Sequence, residues 1–491
     1  MDHEKYQINI ERDGRMVPVG SISGESYRTA RFSYIEEYLD DRNAVPVSIS
    51  LPLQRESFSA EQTRRFFEGL LPEGFTRRSV AQWLHLDEND YLSILHQLGR
   101  ECLGAVRVTA EGEAQSASYE MVTEQQVKAL ASEGAQKSAE IVTKSHLSLT
   151  GASGKVGLYY DEAGRRWYLP EGTAPSTHIV KQSHVRLEGI VTNEQLSMMA
   201  AAKCGIEVPQ SFIIDLGSGN DSEVLYATRR YDRTFEGSVN MITGLPCPLR
   251  LHQEDFSQAM GISSADKYEK RNGGYMRRMF EILRQYSSNP IADQQRLWDM
   301  IVFCYLLGNT DAHIKNFSLL YGKDLRSIRL APAYDMVSTT VYESSTREMA
   351  FSIGSALSID DITENSFIEA SEEVHLGKRF AVGRYHYICN HFREALRDAA
   401  AELSEAGFSK AKEMAGMSFC EHHSLSLSPL VLHSWISCIQ SVVFFVFMID
   451  PPLFGASSRE LRAIDFNSGY LGTYSNSWSY RLKKQRSSPS V

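Results

Sequence analysis

The sequence predicts an α+β fold in which a small strand-rich lobe is followed by a larger, mostly helical lobe. Three observations predict it: strands followed by helices over residues 1–110, hairpin patterns over 141–235, and amphipathic helical patterns over 236–417. Segregation of strands and helices along a chain is typical of α+β domains. We therefore expect an added N-terminal subdomain and then two lobes separated by a cleft.

The length and composition are those of a globular protein of several domains. The 491 residues carry a net charge of −10, so the chain as a whole offers no basic field for nucleic acid. The first residues, MDHEKYQINIERDG, lack the apolar core of a secretory signal, and the seven cysteines form no C-x-x-C pair. These features predict a cytoplasmic protein without a disulfide framework.

The N-terminal subdomain, residues 1–110, begins with a hairpin pattern. YQINIERDGRMVPVG alternates around an Asp13–Gly14 turn, and Ser59 with Gln62 forms a capping-box pattern before an amphipathic helix. Residues 111–140 are rich in Glu, Gln, Ser and Ala. That composition predicts a linker or an exposed helix, and we place a linker there.

The strand-rich lobe, residues 141–235, contains two predicted hairpins around one helix. KVGLYYDEAGRRWYLP and SFIIDLGSGNDSEVLYATRRYD are the hairpins, and THIVKQS is a further strand. TNEQLSMMAAAKCG predicts a helix that starts with a capping box of Thr192 and Gln195.

The helical lobe, residues 236–417, is followed by an atypical tail. YMRRMFEILRQY and ADQQRLWDMIVFCYLLG are its clearest helices, whereas residues 418–491 include a long stretch without Asp, Glu, Lys or Arg. Ser, Pro, His and Gln interrupt that stretch, so we expect a buried helix or a tail unrelated to the fold rather than a membrane anchor.

Two aspartates in the helical lobe carry the candidate chemistry. Asp311 and Asn316 in GNTDAHIKNF have the spacing of the catalytic base and the metal-binding asparagine in protein kinases. Asp335 in APAYDMVST follows a short apolar strand, where a kinase places its second magnesium carboxylate, and Lys315 offers a cation. Each feature alone also fits a polar turn or a capped strand end.

Three further features of the strand-rich lobe fit phosphate binding. SLTGASGKVGLYY is a Gly-rich turn ending in Lys155, Lys181 lies in an alternating strand, and Glu194 lies on the following helix. The alternatives are a hairpin turn, a solvated lysine and a first-turn glutamate. The order of all these features along the chain is that of a bilobal kinase, which favours the kinase-like reading.

The chain resembles the HipA family of serine/threonine kinase toxins of bacterial toxin–antitoxin systems. The matching stretches are FFEGLLPEG, SLTGASGK, THIVKQS, RRYDR, GNTDAHIKNFS and LAPAYDMVST, and the resemblance covers residues 1 to about 410. Two stretches depart from it. The loop reads Gly-Ala-Ser-Gly-Lys where members typically carry Gln-Glu before the lysine, and the tail is unlike a family C-terminus.

The resemblance implies ATP and Mg²⁺ as cofactors, Asp311 as the catalytic base, and Asn316 and Asp335 as magnesium ligands. It implies that the nucleotide is bordered by Thr150, Gly151, Ala152, Ser153, Gly154, Lys155, Lys181, Arg229, Arg230, Tyr231, His313, Asn316, Tyr334 and Asp335. Among these, Arg229, Arg230 and Tyr231 would form the adenine-binding hinge. Ser148 matches the family's autophosphorylated serine, whose modification inactivates the kinase.

The resemblance also implies partners. The expected protein substrate is an aminoacyl-tRNA synthetase, so that translation stalls. A small DNA-binding antitoxin would bind the chain, and operator DNA would be reached only through that complex. The residues leave open two alternatives. One is a non-catalytic corepressor using the basic run Gly377–Arg379 with Arg384, which also fits a solvated helix face, and the other is a small-molecule kinase.

Overall fold

The computed structural model describes residues 5–110, 112–113, 116–133, 154–183, 187–217, 220–270 and 273–417. The loop residues Ser148, Thr150, Gly151, Ala152 and Ser153, and the tail at 418–491, lie outside the described residues.

The N-terminal subdomain is a four-stranded antiparallel sheet with the strand order β3-β2-β1-β4. Ile8 and Ile10 alternate into its core, and Asp13 and Gly14, both with positive φ, form the two-residue turn that the sequence predicts. Ser59 forms the predicted capping box. The elements are β1 (Lys5–Arg12), β2 (Arg15–Ser23), β3 (Arg31–Tyr34), β4 (Val106–Ala110), α1 (Glu36–Leu39), α2 (Ala60–Phe67), α3 (Gly74–Trp83) and α4 (Tyr91–Leu98).

The strand-rich lobe is a six-stranded antiparallel sheet with the strand order β5-β7-β6-β8-β10-β9. Its elements are β5 (Ala117–Met121), α5 (Glu124–Glu133), β6 (Lys155–Asp161), β7 (Arg166–Gly172), β8 (His178–Gln182), α6 (Ile190–Lys203), β9 (Ser211–Asp215) and β10 (Val224–Arg229). The helix α6 starts at Ile190 with Gly189 as its N-cap, so the predicted capping box at Thr192 is wrong. Thr192 and Gln195 are instead buried inside the helix.

The segment 111–140, for which the composition predicts a linker or an exposed helix, contains the strand β5 and the helix α5. In β5 only Tyr119 is buried, and its ring lies 4.4 Å from that of Tyr159. In α5 the buried side chains are Val127, Leu130 and Ala131. The one buried aromatic residue of β5 and the three buried apolar residues of α5 are enough to pack these two elements. They are too few to show as hydrophobic periodicity.

The helical lobe surrounds α9, which is buried on nearly all sides. Trp298 of α9 packs edge-on against Phe367, with ring centroids 5.7 Å apart. The helices are α7 (Phe256–Ala259), α8 (Tyr275–Tyr286), α9 (Pro290–Leu307), α10 (Glu364–Glu373), α11 (Lys378–Glu405) and α12 (Lys410–Met417). No helix within the described ranges is long and apolar enough to cross a bilayer.

Short strands connect the lobes and support the loops of the cleft. β15, β16 and β17 form a three-stranded antiparallel sheet, and the others pair in twos. They are β11 (Arg233–Thr234), β12 (Met241–Ile242), β13 (Leu245–Pro246), β14 (Leu249–Arg250), β15 (Gln253–Asp255), β16 (Ser318–Tyr321), β17 (Ile328–Leu330), β18 (Glu348–Ile353) and β19 (Ala356–Ser358).

Candidate active site

A cleft is lined by all three parts of the chain. The N-terminal subdomain contributes Glu73, the strand-rich lobe contributes Lys155 and Lys181, and the helical lobe contributes Asn316 and Asp335. Nine of the predicted residues line the cleft: Lys155, Lys181, Arg229, Arg230, Tyr231, His313, Asn316, Tyr334 and Asp335. Gly154 and Asp311 lie outside the lining, next to Lys155 and two residues before His313, respectively.

Lys181 of β8 pairs with one carboxylate of each lobe. Its Nζ donates to Glu194 Oε1 on α6 at 2.6 Å and also to Asp335 Oδ1. Burial alone would lower the pKa of Lys181, but Asp335 and Glu194 raise it above its ordinary value. Burial raises the pKa of Glu194 to about 6, even though Lys181 pulls it down. The predicted lysine–glutamate pair is present, and Asp335 completes a triad.

Lys155 lies directly opposite Lys181 on the neighbouring strand. The two residues are in register between β6 and β8, so both side chains lie on the same face of the sheet. Burial lowers the pKa of Lys155, while the nearby Asp335 partly restores it. The carboxylates of Glu194 and Asp335 balance the two lysines in formal charge, and the lysine ammonium groups are donors of the kind that bind phosphate oxygens. Gly154, which precedes Lys155, is buried at the same end of β6.

Asp335 lies in a strained loop that α6 holds in place. Its φ is 57°, in the left-handed region that non-glycine residues seldom adopt. Three residues after Asp335, two hydrogen bonds join the loop to Asn193 of α6. Asn193 Nδ2 donates to Ser338 O at 2.9 Å, and Ser338 N donates to Asn193 Oδ1 at 3.0 Å. Burial would raise the pKa of Asp335, but Lys181 and Lys155 lower it well below its usual range. Asp335 is therefore an ionised carboxylate.

The turn after α9 brings Asp311 and Asn316 together. The helix ends at Gly308, after which His313 N donates to Asp311 O at 2.8 Å and Asn316 N donates to His313 O at 2.8 Å. Asn316 Nδ2 closes the turn by donating to Asp311 O at 2.9 Å. The spacing of five residues thus places the carboxylate and the carboxamide on one compact turn.

Asp311 is an exposed residue, and its carboxylate Oδ1 accepts a hydrogen bond from the Tyr268 hydroxyl. The protein packed around the carboxylate raises the pKa of Asp311, and the charge of Asp335 raises it further. The Tyr268 hydrogen bond and Lys267 act in the opposite direction. Tyr268, Lys267 and Glu73 are site residues that sequence reasoning missed, because nothing in their local sequence indicates a contact with Asp311 or its turn.

Three aromatic residues form the inner part of the cleft. The rings of Tyr231 and Tyr334 stack at 5.6 Å, and the Tyr334 hydroxyl donates to Lys315 O at 2.9 Å. Burial lowers the pKa of His313 to about 3, so its ring is neutral. Within the described residues, the buried Nδ1 of His313 has no hydrogen-bond partner. A buried polar atom of this kind is one that a bound ligand can satisfy.

The predicted hinge residues have different surroundings. Arg229 is partly exposed and lies 3.7 Å from Glu162. Arg230 is fully buried, and its guanidinium is held by Asp232 at 2.7 Å and by Glu101 of the N-terminal subdomain at 3.3 Å. The Arg230 side chain is therefore part of a structural ion-pair network, while the segment itself borders the cleft.

The Lys315 ammonium is less available to a phosphate group than its position in the motif indicates. Its Nζ donates to Asp255 Oδ2 at 2.7 Å and lies 3.6 Å from Glu73 Oε1. The side chain is 3% exposed. Two carboxylates therefore balance its charge in this structure.

The residues fit ATP and Mg²⁺. Mg²⁺ takes hard oxygen ligands and often uses only one or two protein groups together with substrate phosphates. Asp335 supplies an ionised carboxylate and Asn316 a carboxamide oxygen. Across the described ranges, no group of three or more His, Cys, Asp or Glu side chains forms a self-sufficient metal site. A magnesium site here would therefore use these two residues and the phosphates.

A strand-rich lobe and a helical lobe that enclose a cleft, with a buried lysine–glutamate pair and aspartates on two loops, define a protein with a kinase-like fold. The family model of the HipA N-terminal domain matches residues 15–109, and that of the HipA-like C-terminal domain matches residues 147–403. The chain belongs to the HipA family.

Individual relatives agree with this assignment. The chain is 30% identical over 416 residues to the putative kinase Y4mE of Sinorhizobium fredii, which covers 82% of this chain and 94% of that protein. It is 27% identical over 332 residues to the serine/threonine-protein kinase toxin HipA of Shewanella oneidensis, covering 64% and 71% of the two chains. The fold is similar to a solved chain from the Shewanella oneidensis MR-1 complex of HipA, HipB and operator DNA. That match has a TM-score of 0.68 at 22% identity and covers 84% of this chain and 96% of the other.

Proposed function

We propose that this chain is an ATP- and Mg²⁺-dependent protein serine/threonine kinase that acts as the toxin of a toxin–antitoxin module. The observation that carries the proposal is the position of Lys181. This one lysine is bonded to Glu194 and Asp335, in the cleft that Asn316, at the end of the turn from Asp311, also lines. Kinases require a lysine–glutamate pair and a magnesium carboxylate to be in place together.

Each residue has a specific role in this proposal. Lys155 and Lys181 bind phosphate oxygens, and Asp335 and Asn316 would hold Mg²⁺, which would neutralise charge on the phosphates when bound. Asp311 accepts the proton of the attacking hydroxyl, whose oxygen forms a bond to the γ-phosphorus as the bond to the ADP oxygen breaks. Tyr231, His313 and Tyr334 border the nucleotide, beside the segment of Arg229 and Arg230.

The proposal extends to substrates and partners. Family membership supports an aminoacyl-tRNA synthetase as protein substrate and autophosphorylation of Ser148 as self-inhibition. The similar fold of HipA in the complex with HipB and operator DNA supports a small DNA-binding antitoxin as partner, with DNA bound through that complex.

The basic run that would serve a corepressor is partly neutralised. Arg384 donates to Asp299 Oδ1 at 3.0 Å and to Oδ2 at 2.8 Å. Its guanidinium is therefore held within the protein, so we favour the kinase.

The test is phosphoryl transfer by purified protein. With radiolabelled ATP and Mg²⁺, wild type should label Ser148 and an aminoacyl-tRNA synthetase, whereas Asp311→Asn and Asp335→Asn should abolish both. Asp361→Asn, at an exposed aspartate, is the matched control and should retain activity. Removing Mg²⁺ with EDTA should stop labelling.

The same variants separate the alternatives in cells. Expression with and without the genomic neighbour should give growth arrest only for catalytically active chains that lack the antitoxin. If wild type binds ATP but labels no protein, the kinase proposal fails. If Asp311→Asn retains the full biological effect, the corepressor function is favoured instead.

A further inference from the structure

The loop that carries Tyr268 reaches the candidate catalytic base from the outside of the cleft. The hydroxyl of Tyr268 donates its hydrogen bond to Asp311 Oδ1. Tyr268 is 44% exposed, so its contact with Asp311 is accessible from solvent. Its ring packs edge-on against His313, with centroids 5.3 Å apart.

The residues on either side of Tyr268 are anchored to separate parts of the protein. Lys267 Nζ donates to Glu73 Oε2 of the N-terminal subdomain at 2.8 Å, and the same ammonium lies 5.5 Å from the centre of the Tyr268 ring. On the other side, Glu269 N donates to Ala350 O at 2.8 Å, and Ser352 N donates to the Glu269 carboxylate at 2.7 Å. Tyr268 is thus held over Asp311 by its neighbours, although its own ring is only partly packed.

The chemistry of the contact is that of a kinase acceptor. In the proposed reaction, Asp311 receives a hydrogen bond from the hydroxyl that attacks the γ-phosphorus. The Tyr268 hydroxyl is a donor of the same kind on the same carboxylate. Burial and the charge of Asp311 raise the pKa of Tyr268 well above its ordinary value, so the phenol remains a donor at physiological pH.

We propose that the hydroxyl of Tyr268 occupies the position of the acceptor hydroxyl on Asp311, and that a substrate serine must displace it before phosphoryl transfer. This inference rests on the proposed kinase function and adds an acceptor-site residue to it. Tyr268 selects for acceptors that bind tightly enough to replace an internal hydrogen bond. It therefore discriminates against water and small hydroxyl compounds.

The test compares Tyr268→Phe with wild type, using ATP, Mg²⁺ and a synthetic peptide of residues 141–155 as the acceptor. Removal of the phenol hydroxyl should lower KM for the peptide roughly three- to tenfold, because an internal hydrogen bond of ordinary net strength no longer competes with the acceptor. The KM for ATP should not change. Tyr387→Phe is the matched control, since it removes a hydroxyl from a tyrosine that is 39% exposed on α11. An unchanged or higher peptide KM in Tyr268→Phe would overturn the inference.

A second measurement does not depend on catalysis. Binding of the fluorescein-labelled peptide is followed by anisotropy with Mg²⁺ and a non-hydrolysable ATP analogue. Tyr268→Phe should bind roughly three- to tenfold more tightly than wild type. In an Asp311→Ala background, which has no side-chain acceptor, the gain should disappear, since the two residues act through one contact.

The two measurements separate the two claims. Absence of labelling by every protein, together with tighter peptide binding by Tyr268→Phe, would reject the kinase function and keep the displacement. No affinity difference between the two proteins, including no binding by either, would overturn the displacement.

Discussion

Lys181 Nζ lies 2.6 Å from Glu194 Oε1, and the two side chains are only 9% and 6% exposed. A buried ion pair adds little net stability, yet removing one partner leaves the other charge buried without compensation. Lys181 also bonds to Asp335 and, together with Lys155, lowers the pKa of this candidate magnesium ligand.

Substitution of Lys181 by methionine should therefore weaken both the fold and the site. We expect Lys181→Met to lower the free energy of unfolding by roughly 2–4 kcal/mol and to weaken ATP binding at least tenfold. Urea denaturation and equilibrium ATP binding are the measurements. Lys203→Met is the control, because it breaks a 2.6 Å pair with Glu402 that is much more exposed. A similar loss in both variants would contradict the prediction.

Gly308 is the C-cap of α9 and lies directly before the turn that carries Asp311. Its φ is +75°, and an added Cβ would lie 2.0 Å from Thr340 Oγ1. Gly308→Ala should destabilise the protein by more than the roughly 1–2 kcal/mol that the left-handed backbone alone costs, because Thr340 must also move. Gly383→Ala is the opposite case, since an added Cβ in α11 meets nothing within 4 Å. It should raise the unfolding free energy by roughly 0.5–1 kcal/mol in the same denaturation assay. Equal effects of the two alanines would refute this reading.

Glu101 is the carboxylate on which three arginines converge. Its oxygens accept from Arg233 at 2.8 Å, from Arg230 at 3.3 Å and from Arg250 at 2.6 Å. Burial would raise the pKa of Glu101, but these cations lower it to about 2. Glu101→Gln keeps the shape but removes the charge, so we expect a loss of roughly 3–5 kcal/mol in unfolding free energy. Glu162→Gln, at an exposed pair with Arg229, should change it by less than about 1 kcal/mol. Thermal unfolding measures both variants. A larger loss of unfolding free energy in Glu162→Gln than in Glu101→Gln would contradict the prediction.

Glu254 should make stability depend on pH in an unusual direction. Burial raises its pKa to about 7, although Ser48, Tyr321 and Ile49 N donate to the carboxylate. The folded protein therefore keeps a proton that the unfolded chain releases near its ordinary pKa, so the contribution of Glu254 falls as pH rises from about 4.5 to 7. Relative to Glu254→Gln, wild type should lose at most ~3 kcal/mol over this range.

Urea denaturation of both proteins at several pH values measures the difference. Glu369→Gln provides the contrast, because Ser355 donates to Glu369 and lowers its pKa. Its difference from wild type should change with the opposite sign, since a lowered pKa gives stability that is lost as pH falls. A constant difference between wild type and Glu254→Gln would contradict the assignment.

Features that depend on neighbours in sequence could be predicted. The Asp13–Gly14 turn, the Ser59 capping box and the end of α9 at Gly308 involve contacts within about four residues, so the pattern contains the whole interaction. The order of the lysine, glutamate and aspartate motifs likewise matches their meeting at Lys181. The sequence could therefore indicate both the fold class and the inner part of the site.

Features that depend on distant partners could not be predicted. Tyr268 is 43 residues from Asp311, and Lys267 is 194 residues from Glu73, so neither pair leaves a local signal. The strand β5 shows the same limit. Its register is fixed by β7, which is its neighbour in the sheet but does not follow it directly in sequence. The outer part of the cleft, where an acceptor would bind, is built from such contacts.

The convergence of three arginines on Glu101 has a consequence for synthesis. Glu101 leaves the ribosome well before Arg250, which follows 149 residues later. At about 5–20 residues per second, the last of its three cations is added roughly 7–30 s after the carboxylate. The ion-pair network that joins Glu101 to its three arginines therefore forms only after Arg250 has been translated. The nucleotide cleft becomes complete only when the N-terminal subdomain and the Arg229–Tyr231 segment have met.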